Sequence, residues 1–105
     1  MDGKKNLGFV VLYRWRVRTG MEDQFLAAWE IMTHKIKAER GGLGSRSHHA
    51  DDGTYVAYAR WPDRATWEAM GQQPSVDPEA GALMLDAIEE TLEPILMEPL
   101  ADLLD

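Results

Sequence analysis

The side chains best equipped for chemistry near neutral pH are the adjacent histidines His48 and His49, the tyrosines Tyr13 and Tyr58, and the arginines Arg46 and Arg60. An unperturbed imidazole titrates where proton removal near neutrality needs it. A tyrosine hydroxyl can orient an oxygen, and a guanidinium can stabilise an anion. Trp15, Trp61 and Trp67 add flat apolar surface that can stack on a planar molecule. His48 and His49 are neighbours in a segment that reads as a strand, so their side chains face opposite ways and cannot jointly clamp one metal ion. No metal site is expected from them. The chain has no cysteine, which excludes disulfide frameworks, thiolate catalysis and thiolate metal ligation.

The elements that must position these groups follow from periodicity. Phe9 to Val17 alternates, with Phe9, Val11, Tyr13, Trp15 and Val17 on one face and Val10, Leu12, Arg14 and Arg16 on the other. Neither face is plainly solvent, which suits a strand whose second face is partly covered, by a partner subunit for example. Thr19-Gly20 opens a helix with Glu22 and Asp23 in its first turn, and Phe25, Trp29, Met32 and Ile36 form its core stripe. Gly41-Gly42 stops it.

Residues 42 to 50 and 54 to 61 read as two strands joined by the Asp51-Asp52-Gly53 turn, and hence as antiparallel neighbours. In the second, Tyr55, Ala57, Ala59 and Trp61 share a face, with Val56, Tyr58 and Arg60 opposite. Asp63 caps a short helix from which Trp67 and Met70 point the same way. Asp77-Pro78-Glu79 starts another helix, for which the stripe Leu83, Ala87, Ile88, Thr91 and Leu92 predicts a run up to Pro94. Ile95 to Pro99 reads as a final edge strand, and the leucine-rich, acidic tail from Leu100 to Asp105 can add a helical turn. The expected architecture is α+β, with the order β-α-β-β-α-(α)-β. An apolar tail beyond what one small domain can cover points to dimerisation.

The 105 residues suit one domain, and 45% hydrophobic with 28% charged residues is ordinary for a chain with one modest core. A formal net charge of -7 argues against nucleic acid or an anionic membrane surface as the main partner, since both need a basic face. A small or neutral ligand fits better. Met1 to Asn6 lacks a following apolar core long enough for a signal peptide, and Arg14 and Arg16 interrupt the next apolar run, so a cytoplasmic protein is expected.

The strand Phe9 to Val17, the acidic start of the long helix, the segment Gly42-Leu43-Gly44-Ser45-Arg46-Ser47-His48 and the segment from Tyr55 through Trp61-Pro62-Asp63 to Trp67 together resemble the antibiotic biosynthesis monooxygenase domain. The resemblance covers roughly residues 8 to 100. Its most recognisable part is a strand ending in Trp-Pro and followed by a helix with a tryptophan in its first turns. The resemblance implies a ferredoxin-like subunit that pairs through its sheet into a dimeric α/β barrel, with a pocket in each subunit between sheet and helices. Some members of that family oxygenate aromatic compounds with molecular oxygen and neither metal nor flavin; others degrade heme using an asparagine, a tryptophan and a histidine. Here Trp67 matches the tryptophan, Tyr13 stands where the asparagine would be, and residues 76 to 92 contain no histidine, so heme degradation is rejected.

The resemblance therefore implies a monooxygenase without cofactor, acting on a small electron-rich aromatic such as a phenol or hydroquinone. Such an enzyme removes a proton from its substrate, lets the anion pass an electron to oxygen, and shields the pair from water. His48, Trp67 and Tyr13 are the catalytic candidates; Trp15, Arg46, Tyr58, Trp61 and Met70 are the candidates for binding substrate. The alternative is a non-catalytic dimeric α/β barrel that binds a small molecule or serves a stress-related role. Trp15 and Trp29 also fit a purely structural place in the core, and Arg14, Arg16 and Arg60 fit a polar layer in a dimer interface, paired with acids such as Glu98.

Overall fold

The computed structural model describes residues 7–104; the opening Met1 to Asn6 and the terminal Asp105, on which the readings of the leader and of the last tail residue fall, lie outside the described residues. Alternating apolar residues build strand β1 over Phe9–Val17, and the predicted stripe winds into helix α1 over Glu22–Glu39. The hairpin follows as β2 (Gly44–His49) and β3 (Tyr55–Trp61), then α2 (Arg64–Gly71) and α3 (Pro78–Ala87). The chain ends its regular structure in two short strands, β4 (Ile88–Thr91) and β5 (Ile95–Met97).

Local chemistry explains the boundaries. Gly53 adopts φ +90° in the hairpin turn, and Thr54 donates both its amide and its hydroxyl to the Asp52 carboxylate. Asp63 accepts from the Thr66 amide and Asp77 from the Ala80 amide, the two side-chain caps expected of them. Gly41, at φ +81°, turns the chain out of α1.

The sheet is antiparallel, in the order β2-β3-β1-β4, with β5 also paired to β1. The edge beside β1 is thus shared: β4 pairs with Trp15 to Val17 and β5 with Val10 to Leu12. This matches the α+β, ferredoxin-like order expected, with one correction. Helix α3 ends at Ala87, not at Pro94, and Ile88 already has strand dihedrals. The β-branched Ile88 and Thr91 favour an extended chain, and β1 offers them a ladder that a helix would forgo. Leu83, placed in the core stripe by that longer helix, is 45% exposed; Ala87 is buried as that stripe expects, and Ala80 and Met84 face inward with it. The tail reads correctly as extended only through Met97, and residues 98–104 form neither helix nor strand.

All three helices lie on one face of the sheet. One core cluster joins Phe9, Val11, Ala59 and Trp61, with Ile36 of α1 and Trp67 and Met70 of α2 packed on it. The other joins Trp15, Phe25, Ala57 and Ala87, with Trp29 of α1 and Met84 of α3 against it. Tyr13 packs against both. The junction between the two clusters is where the packing leaves space.

Candidate functional site

That space is a cavity of ≈ 220 Å³ between the helical face of the sheet and α1. A small residue helps make the room: Ala59 of β3 lines it, two positions before Trp61. Tyr13, Trp15 and Trp61 form the sheet wall, and Trp29, Met32 and Ile36 face them from α1. Met70 of α2 and Met84 of α3 contribute further wall, and Lys37, which is exposed, stands at the rim. The surface is almost wholly aromatic, aliphatic and thioether, suited to a flat apolar molecule.

The polar centre of the cavity is Tyr13. The Trp67 indole Nε1–H donates to the Tyr13 hydroxyl at 2.9 Å, across from α2 to β1. The phenol oxygen is thereby used as an acceptor, and its own proton remains available to a ligand. Burial raises the Tyr13 pKa, and the Trp67 hydrogen bond works in the opposite direction without cancelling it. The hydroxyl is consequently a donor across the neutral range and not a base. Tyr13 also stacks on Trp15, with ring centroids 5.8 Å apart and planes at 13°.

Two further polar atoms on the lining residues matter. Ser45 Oγ and Trp61 Nε1 are buried and have no hydrogen-bond partner among the described residues. A buried polar group left in this way costs on the order of 1–3 kcal/mol.

The candidates singled out in the sequence divide between the two faces. Tyr13, Trp15, Trp61 and Met70 line the cavity, and Trp67 stands behind Tyr13 and holds it. His48, Arg46 and Tyr58 do not reach it. Ser45 pairs with Ala59, which faces the helices, so alternation turns Arg46 and His48 to the other face, opposite Tyr58 and Val56. His48 and Arg46 are exposed there. His49 keeps to the helical side, but at the far end of the hairpin against Tyr55, 4.9 Å between centroids. The expected meeting of His48 and Trp67 in one cavity is therefore corrected: Tyr13, not His48, partners Trp67. Trp29, Met32, Ile36, Met84 and Ser45 were read as packing or passed over, and only the first three carried a signal, being on the helix stripe that faces the sheet.

An antiparallel sheet backed on one face by helices, with an aromatic cavity between the layers, defines a ferredoxin-like α+β domain. The family model for antibiotic biosynthesis monooxygenase matches residues 8–78, and the chain belongs to that family. Among solved structures, the cofactor-independent oxygenase SnoaB from Streptomyces nogalater is similar at a TM-score of 0.74 and 15% identity, over 92% of this chain and 97% of that one. Rv0793 from Mycobacterium tuberculosis is similar at 0.70 and 18%, over 90% and 97%. A conserved protein from Methanosarcina mazei Go1 is similar at 0.71 and 12%, over 89% and 93%. At such identities these likenesses establish the fold. No curated protein matches the chain.

Among the described residues no helix is long and apolar enough to cross a membrane.

Proposed function

We propose that the protein is a cofactor-independent monooxygenase that oxidises a small electron-rich aromatic, phenol- or hydroquinone-like, with molecular oxygen, working as a cytoplasmic homodimer paired through the outer face of its sheet. The observation that carries this is the aromatic cavity with a single buried phenol, Tyr13, held in place by Trp67. Trp15, Trp61 and Met70 supply apolar wall against which the substrate lies. The Tyr13 hydroxyl donates to the substrate oxygen and favours its phenolate, and the Lys37 ammonium at the rim favours the same anion. The electron-rich anion passes one electron to oxygen, and the radical pair, kept from water by the apolar wall, joins carbon to oxygen. The resulting peroxide anion takes back the proton that the phenol gave up, and the hydroperoxide then loses water, its O–O bond breaking as the C–H proton leaves, to give a carbonyl where the ring carried hydrogen. One oxygen atom enters the product and the other leaves as water, so substrate supplies all four electrons. Trp67 is a positioning residue in this scheme, acting through Tyr13.

One observation favours the alternative of a non-catalytic barrel that binds a small molecule or has a stress-related role. With His48 on the outer face, the polar side chains that line the cavity, among them Tyr13, Ser45 and Lys37, include no histidine and no carboxylate to act as a base. Oxygen uptake by the purified, chelator-treated protein over a panel of hydroquinones, naphthols and anthrones separates the two. The oxygenase predicts uptake above the uncatalysed rate that falls in Tyr13→Phe and in Trp67→Phe while His48→Ala keeps it. Uptake equal to the uncatalysed rate across the panel, with binding retained, assigns the protein to the alternative.

A further inference from the structure

Sulfur is gathered at the cavity. The chain has six methionines; Met32, Met70 and Met84 line the cavity, one from each helix, and Met21 and Met97 do not. Those five are all half-buried, so it is place and not exposure that sets the three apart. Met70 packs with Trp67 on the cluster of Phe9 and Trp61, and Met84 packs with Trp29 on the cluster of Trp15 and Phe25. Tyr13 touches both clusters. A thioether meets an aromatic ring much as a leucine does, but it differs in its chemistry. Its sulfur reduces peroxides and becomes a sulfoxide, which is polar where the methionine was apolar.

The reaction proposed above passes through a hydroperoxide that forms against these walls, and a thioether gives it a second outlet besides loss of water. A methionine sulfur attacks the terminal peroxide oxygen. The S–O bond forms as the O–O bond breaks, and the departing alkoxide takes the proton of that terminal oxygen. The peroxide is thus reduced to an alcohol, and the thioether is oxidised by the same two electrons to a sulfoxide. No further reactant is needed. We infer that Met32, Met70 and Met84 form an oxidation site: a hydroperoxide of an aromatic compound, held in the cavity, converts them to sulfoxides ahead of Met21 and Met97, and the polar wall that results no longer takes up the aromatic. This rests on reading the cavity as the place where an aromatic is held. It needs no oxygenation by the protein, since a hydroperoxide supplied from outside has the same outlet.

Peptide mass spectrometry of the whole protein, treated anaerobically to low conversion, tests it. Cumene hydroperoxide, an aromatic peroxide, is expected to oxidise Met32, Met70 and Met84 at least about tenfold faster than Met21 and Met97, because a reactant held beside the sulfur acts at a raised effective concentration. Naphthol added as a competitor is expected to remove that advantage. Hydrogen peroxide, which has no ring to hold, is expected to attack all five within about threefold of one another, since it follows exposure alone. After cumene hydroperoxide, the affinity for naphthol in anaerobic calorimetry is expected to fall about tenfold, the cost of a polar group left unpaired in an apolar wall. The combined Met32→Leu, Met70→Leu and Met84→Leu variant, which conserves volume, is expected to bind naphthol equally before and after the treatment. Equal rates at the five methionines, no protection by naphthol, or the same preference with hydrogen peroxide overturns the site, and an unchanged affinity in the oxidised wild type overturns its effect on binding. Cavity-selective oxidation in a protein that takes up no oxygen with any aromatic of the panel sinks the oxygenase reading and leaves this inference standing; oxygen uptake together with unselective oxidation does the reverse.

Discussion

The two faces of the sheet share the same strands and differ in almost every physical respect. On the helical side Phe9, Val11 and Trp15 of β1 and Ala57, Ala59 and Trp61 of β3 are nearly dry, and the one hydroxyl among these β1 neighbours, Tyr13, is tied to Trp67. On the other side the same strands present Leu12, Arg14, Arg16, Tyr58 and Arg60, joined by Arg46 and His48 from β2. A chain with a net charge of -7 thus gathers four of its cations on one sheet face. The helical face carries mostly apolar side chains, with the Lys37 ammonium at the cavity rim, and the proposed reaction through an anion and a radical pair needs such shielding from water. The outer face carries its arginines at exposed or half-buried positions, and arginine is among the residues enriched where subunits pair.

The sharpest way to break this contrast is to cut the same strands' neighbours on both sides. Phe25 is fully buried and meets Trp15 and Tyr55 edge to face, at 5.2 and 5.5 Å between centroids. Phe25→Ala is expected to cost about 3–5 kcal/mol in denaturant unfolding. His48→Ala on the outer face is expected to change stability by no more than ~0.5 kcal/mol. Comparable losses from both would show that the outer face is as closely packed as the inner one.

Activity should divide along the same line. Tyr13→Phe removes the donor proposed to meet the developing anion, and a loss of roughly a hundredfold in turnover is expected, the range for one such donor. Trp67→Phe leaves the Tyr13 phenol in place but frees it to rotate, so a smaller loss, about tenfold, is expected to appear in kcat more than in KM. The pH profile sharpens the point. Because burial raises the Tyr13 pKa, the hydroxyl stays protonated below the ordinary tyrosine value of about 10. Its donation, and the stability that its neutral form contributes, are fully present below that value and are lost as pH rises through the higher folded value. Any rise in rate nearer neutrality should then follow the pKa of the substrate phenol and move when the substrate is changed; a rise that stays fixed across substrates would point to a titrating group of the protein instead.

How far the sequence carries this picture depends on whether a feature is local. The caps at Asp63 and Asp77, the hairpin turn at Gly53 and the alternation of β1 are set by residues a few positions apart, and all were legible. The end of α3 was not, because Leu83, Ala87, Ile88 and Thr91 satisfy a helical stripe while the reason for leaving the helix, the free edge of β1 at Trp15 to Val17, lies some seventy residues away by way of the fold. The site was half legible for the same reason. Adjacent histidines had to face opposite ways, but which one faces the helices is decided by the pairing of Ser45 with Ala59, a property of register and not of composition.

The helix layer itself can be loosened without touching the cavity wall. Asp77 accepts from the Ala80 amide at the start of α3 and pairs with Lys35 of α1 at 2.9 Å, so one carboxylate both caps a helix and joins two. The amide and Lys35 hold its pKa below the usual aspartate range. Its contribution is present above the ordinary aspartate value and is lost as pH falls through the lowered one. Asp77→Asn, which keeps a capping oxygen but not the charge, should lower Tm less than Asp77→Ala, by a few degrees at most in either case, and should flatten the acid limb of the stability profile. An unchanged acid limb would mean that Lys35 is held elsewhere.

The smallest effect is expected on the outer face, and its size reports whether that face is covered. Arg16 Nε donates to Glu90 Oε1 at 3.1 Å, with the two side chains 49% and 56% exposed. At that exposure the pair is worth under about 1 kcal/mol, and Glu90→Gln should be barely measurable. If a second subunit seals this end of the sheet, removal of the carboxylate strands a buried guanidinium instead, at a cost of about 3–5 kcal/mol. Only the second outcome would depend on protein concentration, since it is the dimer that would be weakened. Unfolding of Glu90→Gln at two well-separated concentrations therefore tells a rim pair from an interface pair, and fixes how far along β1 the outer face is shared.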